Sequence, residues 1–311
     1  SPWQLIKTGA RVAKGVLEAN RVMRKFKPDV VIGTGGYVCF PVIIAGKRFG
    51  AKTFLHEQNA FPGLANRTLE KYVNKVFLGF SDAAKYFKDP SKMVEAGNPV
   101  RKSFFSLNKT EARKKLGFPQ DDFIVFSFGG SLGAEKINEV AFELMQVVNG
   151  HEKMRMVFGT GKWYYDSIIK KAEECGIVLK DNILIKDYID DMENYLAASD
   201  LIISRAGALS VAETTVCGRA CILIPSPNVT DNQQYKNAKV LADADGAVLI
   251  EEKALDAGRI CRETAAILEN PARLHTLEKN IAAFAVPDAN EIIFREISAL
   301  AGKKKGSVGN G

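Results

Sequence analysis

Residues 200–213 read DLIISRAGALSVAE, and this stretch sets the class of fold. An apolar run of strand length (201–204) passes into a turn of small residues and then into a helical pattern that carries Glu213. A buried strand, a tight turn and a helix in this order are typical of parallel sheets covered on both faces. The first N–H groups of such a helix face the carboxyl end of the strand, where open α/β sheets bind ligands. We therefore predict a ligand-binding turn with Glu213 roughly one to two turns into the helix. An ordinary surface glutamate is the alternative.

Seven further runs of strand type alternate with helical patterns. They are residues 29–33, 52–57, 75–80, 123–130, 154–160, 182–189 and 221–227. The runs form two series that separate near GNPVR (97–101), which predicts an α/β protein of two doubly wound, Rossmann-like domains. We place the first domain at 1–98 and the second at 99–286. A C-terminal helix at 287–303 is expected to pack back on the first domain, before a disordered tail at 304–311.

Composition narrows the class of protein but does not select a function. The 311 residues are 46% apolar and 25% charged, as in soluble globular proteins. The formal charge of +7 permits nucleic acid, anionic lipid or phosphorylated ligands and favours none of them. Five cysteines without a Cys-x-x-Cys pair fit the reduced thiols of a cytosolic protein, and three scattered histidines give no zinc pattern. Glycines and Pro41 interrupt the longest uncharged run, so we predict no membrane span there.

Two more strand-to-helix turns are rich in glycine. GGSLGA (129–134) follows a strand, opens a helix and carries Ser131, an arrangement that allows backbone N–H groups to approach an anion. GTGGY (33–37) follows the first strand and carries Tyr37. Neither turn matches the P-loop or the strict dinucleotide fingerprint. A tight packing turn is the alternative for each, so neither one alone predicts phosphate binding.

Two polar clusters also follow strands. HEQN (56–59) ends one strand, and DNQQYKNA (231–238) comes after another. Polar clusters of this kind bind a polar ligand or cap a turn. His56 is a candidate catalytic base, although a structural histidine is the commoner role for a lone one.

Read in series, these segments resemble the MurG glycosyltransferases. The motifs, in order, are GTGGY, HEQN, GNPVR, GGSLGA, IDDM, SRAGALSVAE and DNQQYKNA, and the resemblance runs from about residue 25 to about 300. It implies a GT-B fold with two domains facing a cleft, and inverting transfer of N-acetylglucosamine from its UDP form to lipid I, making lipid II for peptidoglycan. It implies an N-terminal acceptor and membrane-side domain and a C-terminal nucleotide-sugar domain. No cofactor, no metal and no nucleic acid are implied.

The same resemblance assigns roles to residues of this chain. It implies that Glu213 holds the ribose and Ser131 contacts the diphosphate, while Arg101 and Ile189 border the nucleotide. The turn and helix start facing the sugar-nucleotide comprise Ala208, Leu209, Ser210, Val211 and Ala212. Gln233 and Gln234 would read sugar hydroxyls, Asn59 would approach the transferred sugar, and Tyr37 would project toward the substrate. Leu132 and Ser210 stand where the family more often has Gln and Thr.

One departure from the family concerns activity. The family begins with a further strand and a Gly-Gly-Thr-Gly-Gly-His loop, which has no counterpart in this sequence, so we expect an incomplete first domain and weak turnover of lipid I. A catalytically silent protein that binds UDP-sugars is the main alternative. A dinucleotide-dependent oxidoreductase is a weaker one, because the Gly-x-Gly-x-x-Gly motif with its following acidic residue is absent.

The first 27 residues are basic. They carry Lys7, Arg11, Lys14, Arg21, Arg24, Lys25 and Lys27 against a single acid, Glu18. Five of these cations (7, 11, 14, 21, 25) follow helical spacing, and Leu5, Val12, Val16 and Met23 form an opposite apolar stripe. This pattern predicts a helix at an anionic membrane surface, on the cytoplasmic face of the bacterial membrane, with Trp3, Leu5 and Ile6 inserting shallowly. An ordinary amphipathic helix with a solvated basic face is the alternative.

Overall fold

The computed structural model describes residues 2–302, with side chains at 14–256 and 258–302. The predicted tail at 304–311 lies outside the described residues, as do the side chains of Trp3, Leu5, Ile6, Lys7, Arg11 and Val12. The chain divides into one unit made of Ser1–Pro99 with Asp288–Gly311, and a second made of Val100–Pro287. Among the described residues, no helix is both long enough and apolar enough to cross a membrane.

The first unit contains a four-stranded parallel sheet in the order β1-β2-β3-β4. Its strands are β1 (Val30–Gly33), β2 (Lys52–Glu57), β3 (Lys75–Leu78) and β4 (Met93–Glu95), and its helices are α1 (Pro2–Phe26), α2 (Cys39–Arg48), α3 (Leu64–Leu69) and α12 (Ala289–Ala301). Met23 of α1 and Ile43 of α2 are buried in one core with Val31 and Leu55. The apolar side of α12 packs on a second cluster that includes Phe54 and Phe77. Both clusters bury apolar area that stabilises this sheet.

The second unit contains a six-stranded parallel sheet in the order β10-β9-β8-β5-β6-β7. Its strands are β5 (Phe123–Phe128), β6 (Met154–Gly159), β7 (Ile183–Lys186), β8 (Leu201–Ser204), β9 (Ala220–Leu223) and β10 (Val248–Leu249). Its helices are α4 (Lys109–Leu116), α5 (Glu135–Asn149), α6 (Tyr165–Glu174), α7 (Met192–Ala198), α8 (Ala208–Cys217), α9 (Gln233–Asp243), α10 (Ala257–Leu268) and α11 (Pro271–Ala282). All six residues of β5 are buried, because helices cover both faces of the central strands.

A buried ion pair joins α4 to the start of β8. Arg113 Nη2 lies 2.6 Å from Asp200 Oδ2, and the same carboxylate oxygen accepts a hydrogen bond of 2.6 Å from the N–H of Ile124. Arg113 also donates to the carbonyl oxygen of Ala198. Because both charges are buried and hydrogen-bonded, this pair ties the residue that precedes β8 to the start of β5.

The predicted α/β class is confirmed, and each of the eight predicted strands overlaps an observed one. Two short strands were missed. β4 has three residues and β10 has two, both at sheet edges, and runs of this length carry too few residues for a period to be visible.

Candidate functional site

Five strands of the second unit end on one line. Lys186, Gly159, Phe128, Ser204 and Leu223 are paired in register across β7, β6, β5, β8 and β9. From β5 the chain winds outward through β6 and β7, whereas from β8 it winds the other way. The sheet therefore reverses its strand order between β5 and β8, and open α/β sheets bind ligands at the carboxyl ends of such a pair. GGSLGA follows β5 and SRAGAL follows β8, so the fold brings both predicted turns to this point.

Close backbone contacts shape the GGSLGA turn. A Cβ atom on Gly129 would lie 2.4 Å from the nitrogen of Ala134, and one on Gly133 would lie 2.2 Å from the carbonyl oxygen of Thr160. Gly133 has φ of +81°, which disfavours any side chain. The N–H of Gly133 donates to the carbonyl oxygen of Gly130 over 3.0 Å, and α5 begins shortly afterwards. The glycines thus allow this turn to lie directly on the loop that follows β6.

Beside this turn lies a small pocket with a cavity volume of about 90 Å³. It is lined by Phe128, Gly130, Ser131, Gly159, Gly161, Asp187, Tyr188, Ile189 and Met192. Ser131 and Ile189 are both predicted site residues, and the pocket brings them together. Its lining combines apolar residues with glycines and with the polar residues Ser131, Asp187 and Tyr188, a surface suited to a small flat ring with polar edges.

The start of α8 supplies unpaired backbone donors. Gly207 caps the helix without a side-chain hydrogen bond, and the first helical N–H to be paired is that of Val211, which donates to Gly207 over 2.9 Å. The N–H groups of Ala208, Leu209 and Ser210 precede that bond and have no acceptor within the helix. Asn237 Nδ2 fixes the turn by donating to the carbonyl oxygen of Ala206 over 3.2 Å.

The predicted residues of α8 do not all face the same way. Leu209 is exposed, and Ser210 and Ala212 are partly exposed. Val211 is 2% exposed and its N–H donates to Gly207, so its side chain packs in the core and its contact with a ligand stays a prediction. Glu213 is partly buried, one helical turn beyond Leu209, and burial raises the pKa of its carboxyl group. The positive charge of Arg101 opposes this rise, because it lowers the pKa of Glu213.

At the start of α9, the two glutamines predicted to bind the sugar differ in their hydrogen bonds within the protein. Gln234 Oε1 accepts a hydrogen bond of 2.8 Å from the N–H of Ser226, which orients the side chain and leaves its Nε2 amide group for a ligand. Gln233 is partly buried at the first position of the helix. The preceding Asp231 and Asn232 have φ of +54° and +52°, a left-handed conformation that costs free energy and is concentrated at functional sites.

In the first unit, His56 is buried with 6% of its surface exposed. Its Nε2 lies 3.0 Å from the carbonyl oxygen of Gly97, so Nε2 carries the hydrogen and donates it. Burial lowers the pKa of His56 below its ordinary value. A buried ring that joins the end of β2 to the chain after β4 fits a structural role, and a catalytic role of His56 stays a prediction.

Glu57 organises the HEQN segment. Its carboxylate is 2% exposed and accepts from the N–H of Asn59 at 3.0 Å and from Asn66 Nδ2 at 2.8 Å. It also accepts from the N–H of Gly63 and, over 3.3 Å, from Asn59 Nδ2. The predicted sugar-binding residue Asn59 is therefore oriented by a carboxylate. Tyr37 is 87% exposed on the loop after β1.

Family models match both units. The model described as Glycosyltransferase family 28 C-terminal domain matches residues 124–293, and the one described as Glycosyltransferase family 28 N-terminal domain matches residues 2–78. A UDP-N-acetylglucosamine--N-acetylmuramyl-(pentapeptide) pyrophosphoryl-undecaprenol N-acetylglucosamine transferase from Acetivibrio thermocellus is 42% identical over 92% of this chain and 77% of its own length. A protein of the same name from Thermoanaerobacter sp. is 40% identical over 95% of this chain and 80% of its own length.

The chain belongs to the MurG family. The crystal structure of Acinetobacter baumannii MurG superposes with a TM-score of 0.76 at 26% identity, covering 94% of this chain and 80% of that one. A UDP-GlcNAc 2-epimerase from Neisseria meningitidis, solved bound to UDP-GlcNAc, has a TM-score of 0.67 at 12% identity and covers 93% of this chain and 80% of that one. The likeness to the epimerase is one of fold. Two parallel-sheet α/β units of the GT-B class are thus common to this chain and MurG structures.

Three site residues of this MurG family member were missed by sequence reasoning. Glu57 stood within the quoted HEQN motif, and Gly161 in a Gly-Thr-Gly sequence after a strand, so each had a local signal that was not used. Glu193 had no local signal, because its partner Arg101 is far away in the sequence. Nη2 of Arg101 lies 3.2 Å from the Glu193 carboxylate.

Proposed function

We propose that this chain moves N-acetylglucosamine from UDP-N-acetylglucosamine to lipid I, forming lipid II for peptidoglycan synthesis. Membership of the MurG family supports this reaction. The observation that carries the proposal is the register pair Phe128–Ser204 at the reversal of the sheet, because GGSLGA and the turn into α8 begin directly after these two residues. Two sets of backbone donors beside a small ring-sized pocket fit a nucleoside diphosphate better than an uncharged ligand.

Each part of the donor has a group of suitable chemistry. The pocket beside Ile189 suits the uracil ring, whose polar edge would meet backbone groups of the 187–189 segment. Glu213, as an ionised carboxylate, would accept hydrogen bonds from the two ribose hydroxyls. Gln233 and the Nε2 group of Gln234 would contact sugar hydroxyls. Asn59 and Tyr37, in the first unit, remain candidates for contacts with the transferred sugar.

The chemistry follows from the charge that develops on the leaving group. The acceptor hydroxyl attacks the anomeric carbon and loses its proton, the bond from that carbon to the β-phosphate oxygen breaks, and UDP leaves with the electron pair. The free N–H groups of Ala208, Leu209 and Ser210 would stabilise the departing diphosphate together with the Ser131 hydroxyl. Among the described residues, no cluster of three His, Cys, Asp or Glu side chains could hold a metal ion. We assign no general base.

Contact with an anionic membrane surface is a further part of the proposal. In α1, Lys14, Arg21 and Lys25 are exposed, whereas Met23 is buried in the core. The exposed surface of α1 and the end of α2 also carries apolar side chains, namely Leu17, Val22, Phe26 and Phe49. Basic and apolar groups side by side suit the headgroup region of an anionic bilayer, and each cation contributes about 1 kcal/mol there. A protein held at the cytoplasmic face would meet its lipid-linked acceptor.

Calorimetry and a transfer assay test the reaction. We expect the chain to bind UDP and UDP-N-acetylglucosamine, to bind ADP-glucose and NAD far more weakly, and to move labelled N-acetylglucosamine onto lipid I. Binding without transfer would favour a silent UDP-sugar-binding protein. No binding of UDP would overturn the assignment.

Vesicle co-sedimentation tests the membrane contact. Binding should require anionic lipid, weaken with salt, and decrease when Lys14, Arg21 and Lys25 are changed to Gln. The matched control changes three exposed lysines of the second unit, Lys114, Lys115 and Lys170, to Gln. An equal loss in both triple variants would indicate an effect of net charge alone and contradict the proposal.

A further inference from the structure

Glu193 lies at the edge of the nucleotide site without lining its pocket. It follows Met192, which does line the pocket, at the start of α7. The Glu193 side chain is 16% exposed, and its Oε2 lies 3.2 Å from Nη2 of Arg101. A mostly buried carboxylate with one guanidinium partner is a specific arrangement, because an unpaired carboxylate would be costly to bury there.

The guanidinium of Arg101 contacts an aromatic ring as well as Glu193. The ring of Phe104, 2% exposed, lies 5.2 Å from the Arg101 guanidinium carbon. The short helix that follows Arg101 (Lys102–Phe105) contacts both α7 and α8. The side chain is nevertheless 63% exposed, so its guanidinium can be drawn to either helix by the charges there.

The competing charge on α8 is Glu213. The pKa of the Glu213 carboxyl group is raised first by burial, lowered by the charge of Arg101 and raised by that of Glu193. The other titratable groups linked to it are Cys217, whose thiol pKa is raised to about 12 by burial, and Arg219, which lowers the pKa of that thiol. One guanidinium thus lies within electrostatic reach of two carboxylates, and it donates a hydrogen bond to Glu193.

We propose that Glu193 is a positioning residue that retains the Arg101 guanidinium and so keeps the Glu213 carboxylate open to ribose hydroxyls. A guanidinium paired with Glu213 would occupy the oxygen atoms that the ribose needs, and the ligand would have to displace it. This inference rests on the proposed role of Glu213 in donor binding. It gives Glu193 a role in donor affinity without contact with the donor.

A double-mutant cycle tests the inference. In the full chain, Glu193→Gln should weaken UDP binding about tenfold, because Arg101 then turns to Glu213. In an Arg101→Gln background the same change should have an effect of less than about twofold, since no guanidinium remains to occupy Glu213. Glu193→Asp should recover much of the affinity, because it keeps the charge. Glu174→Gln, an exposed glutamate on α6, is the matched control and should leave the affinity unchanged.

The outcomes separate the inference from the proposed function. An equal loss of UDP affinity from Glu193→Gln in both backgrounds would mean that Glu193 only supports the fold. No loss of affinity in the wild-type background would mean that Arg101 needs no retention. Either result overturns the inference. If Glu193→Gln does not fold, Glu193→Asp and Arg101→Gln still give two arms, and equal UDP affinity of wild type and Glu193→Asp supports charge as the requirement. Failure of the wild type itself to bind UDP would instead overturn the proposed function.

Discussion

Gly161 and Gly133 meet backbone to backbone at the edge of the pocket lined by Ser131 and Ile189. A Cβ atom on Gly161 would lie 2.2 Å from the nitrogen of Gly133, a distance that real Cβ atoms do not reach. Gly161 also has φ of +83°. The loops after β5 and β6 therefore hold each other in place through a contact that leaves no volume for a side chain.

Gly161→Ala should disrupt both the pocket and local stability. Overpacking costs typically about 1–3 kcal/mol, and the left-handed conformation adds about 1–2 kcal/mol for alanine. We expect a lower midpoint of urea denaturation and UDP affinity reduced at least tenfold. Gly63→Ala is the control, because Gly63 has an ordinary φ of −62° and open space at the Cβ position. Wild-type affinity in Gly161→Ala would show that the loops can separate without loss of the site.

Glu213→Gln should weaken UDP binding about tenfold. Hydrogen bonds to a charged acceptor contribute roughly 1 kcal/mol more than those to a neutral one, and 1.4 kcal/mol is a factor of ten. Calorimetry of the wild type and the variant gives the difference directly. Glu263→Gln, on α10, is a glutamate outside the site and should bind UDP as the wild type does. Equal affinities of wild type and Glu213→Gln would remove Glu213 from the ribose site.

The raised pKa of Glu213 also has a consequence for pH dependence. Burial is its largest cause, so the ionised carboxylate is disfavoured in the folded ligand-free protein. A raised folded-state pKa means that this group contributes most stability below its unfolded pKa and loses that contribution as pH rises through the folded value. At neutral pH, Glu213→Gln should therefore unfold at a higher temperature than the wild type without ligand. UDP affinity of the wild type should fall on the acid side, starting above the ordinary pKa of glutamate, and the variant should lack that fall.

Glu57→Gln should destabilise the first unit. The carboxylate accepts from two backbone N–H groups and two amide side chains, and a glutamine amide would present a donor to some of them. Because hydrogen bonds to charged groups contribute about 1.5–3 kcal/mol each, we expect a loss of roughly 3 kcal/mol. Hydrogen exchange at β2 and β3 measures this unit separately. Glu95→Gln, at an exposed position of β4, should change exchange by less than about 0.5 kcal/mol. A similar small effect at Glu57 would contradict the network.

His56 should make the first unit sensitive to acid. Its pKa is lowered by burial, so the folded state holds the neutral ring and releases a proton relative to the unfolded chain. Stability from this source is present above the unfolded pKa of about 6.5 and decreases as pH falls below it. His56→Asn should flatten the decrease in melting temperature between about pH 7 and pH 5. His275→Asn, at an exposed position, should not, and an unchanged slope in His56→Asn would argue that other groups cause the acid sensitivity.

Local patterns predicted the parts of the fold that depend on short segments. The eight longer strands and the turn-helix units of SRAGAL and GGSLGA are all visible as runs of neighbouring residues. The order of the strands is not local, and neither are the contacts of Glu193, which depend on a guanidinium more than 90 positions earlier in the chain. Val211 shows a further limit of prediction from motifs. A motif includes every residue at the start of a helix, whereas the helical period points the side chain of Val211 into the core.

Because five strands of the second unit end in register, the residues that set donor specificity can be changed without changing the residues that fold this unit. The core of this unit is formed by the strands and by the helices behind them, and residues 187–191 are not part of that core cluster. A replacement segment of equal length, anchored at Lys186 and Met192, would meet the same fixed ends. Enzymes for other nucleotide sugars could therefore be sought by exchanging this short segment on an unchanged frame.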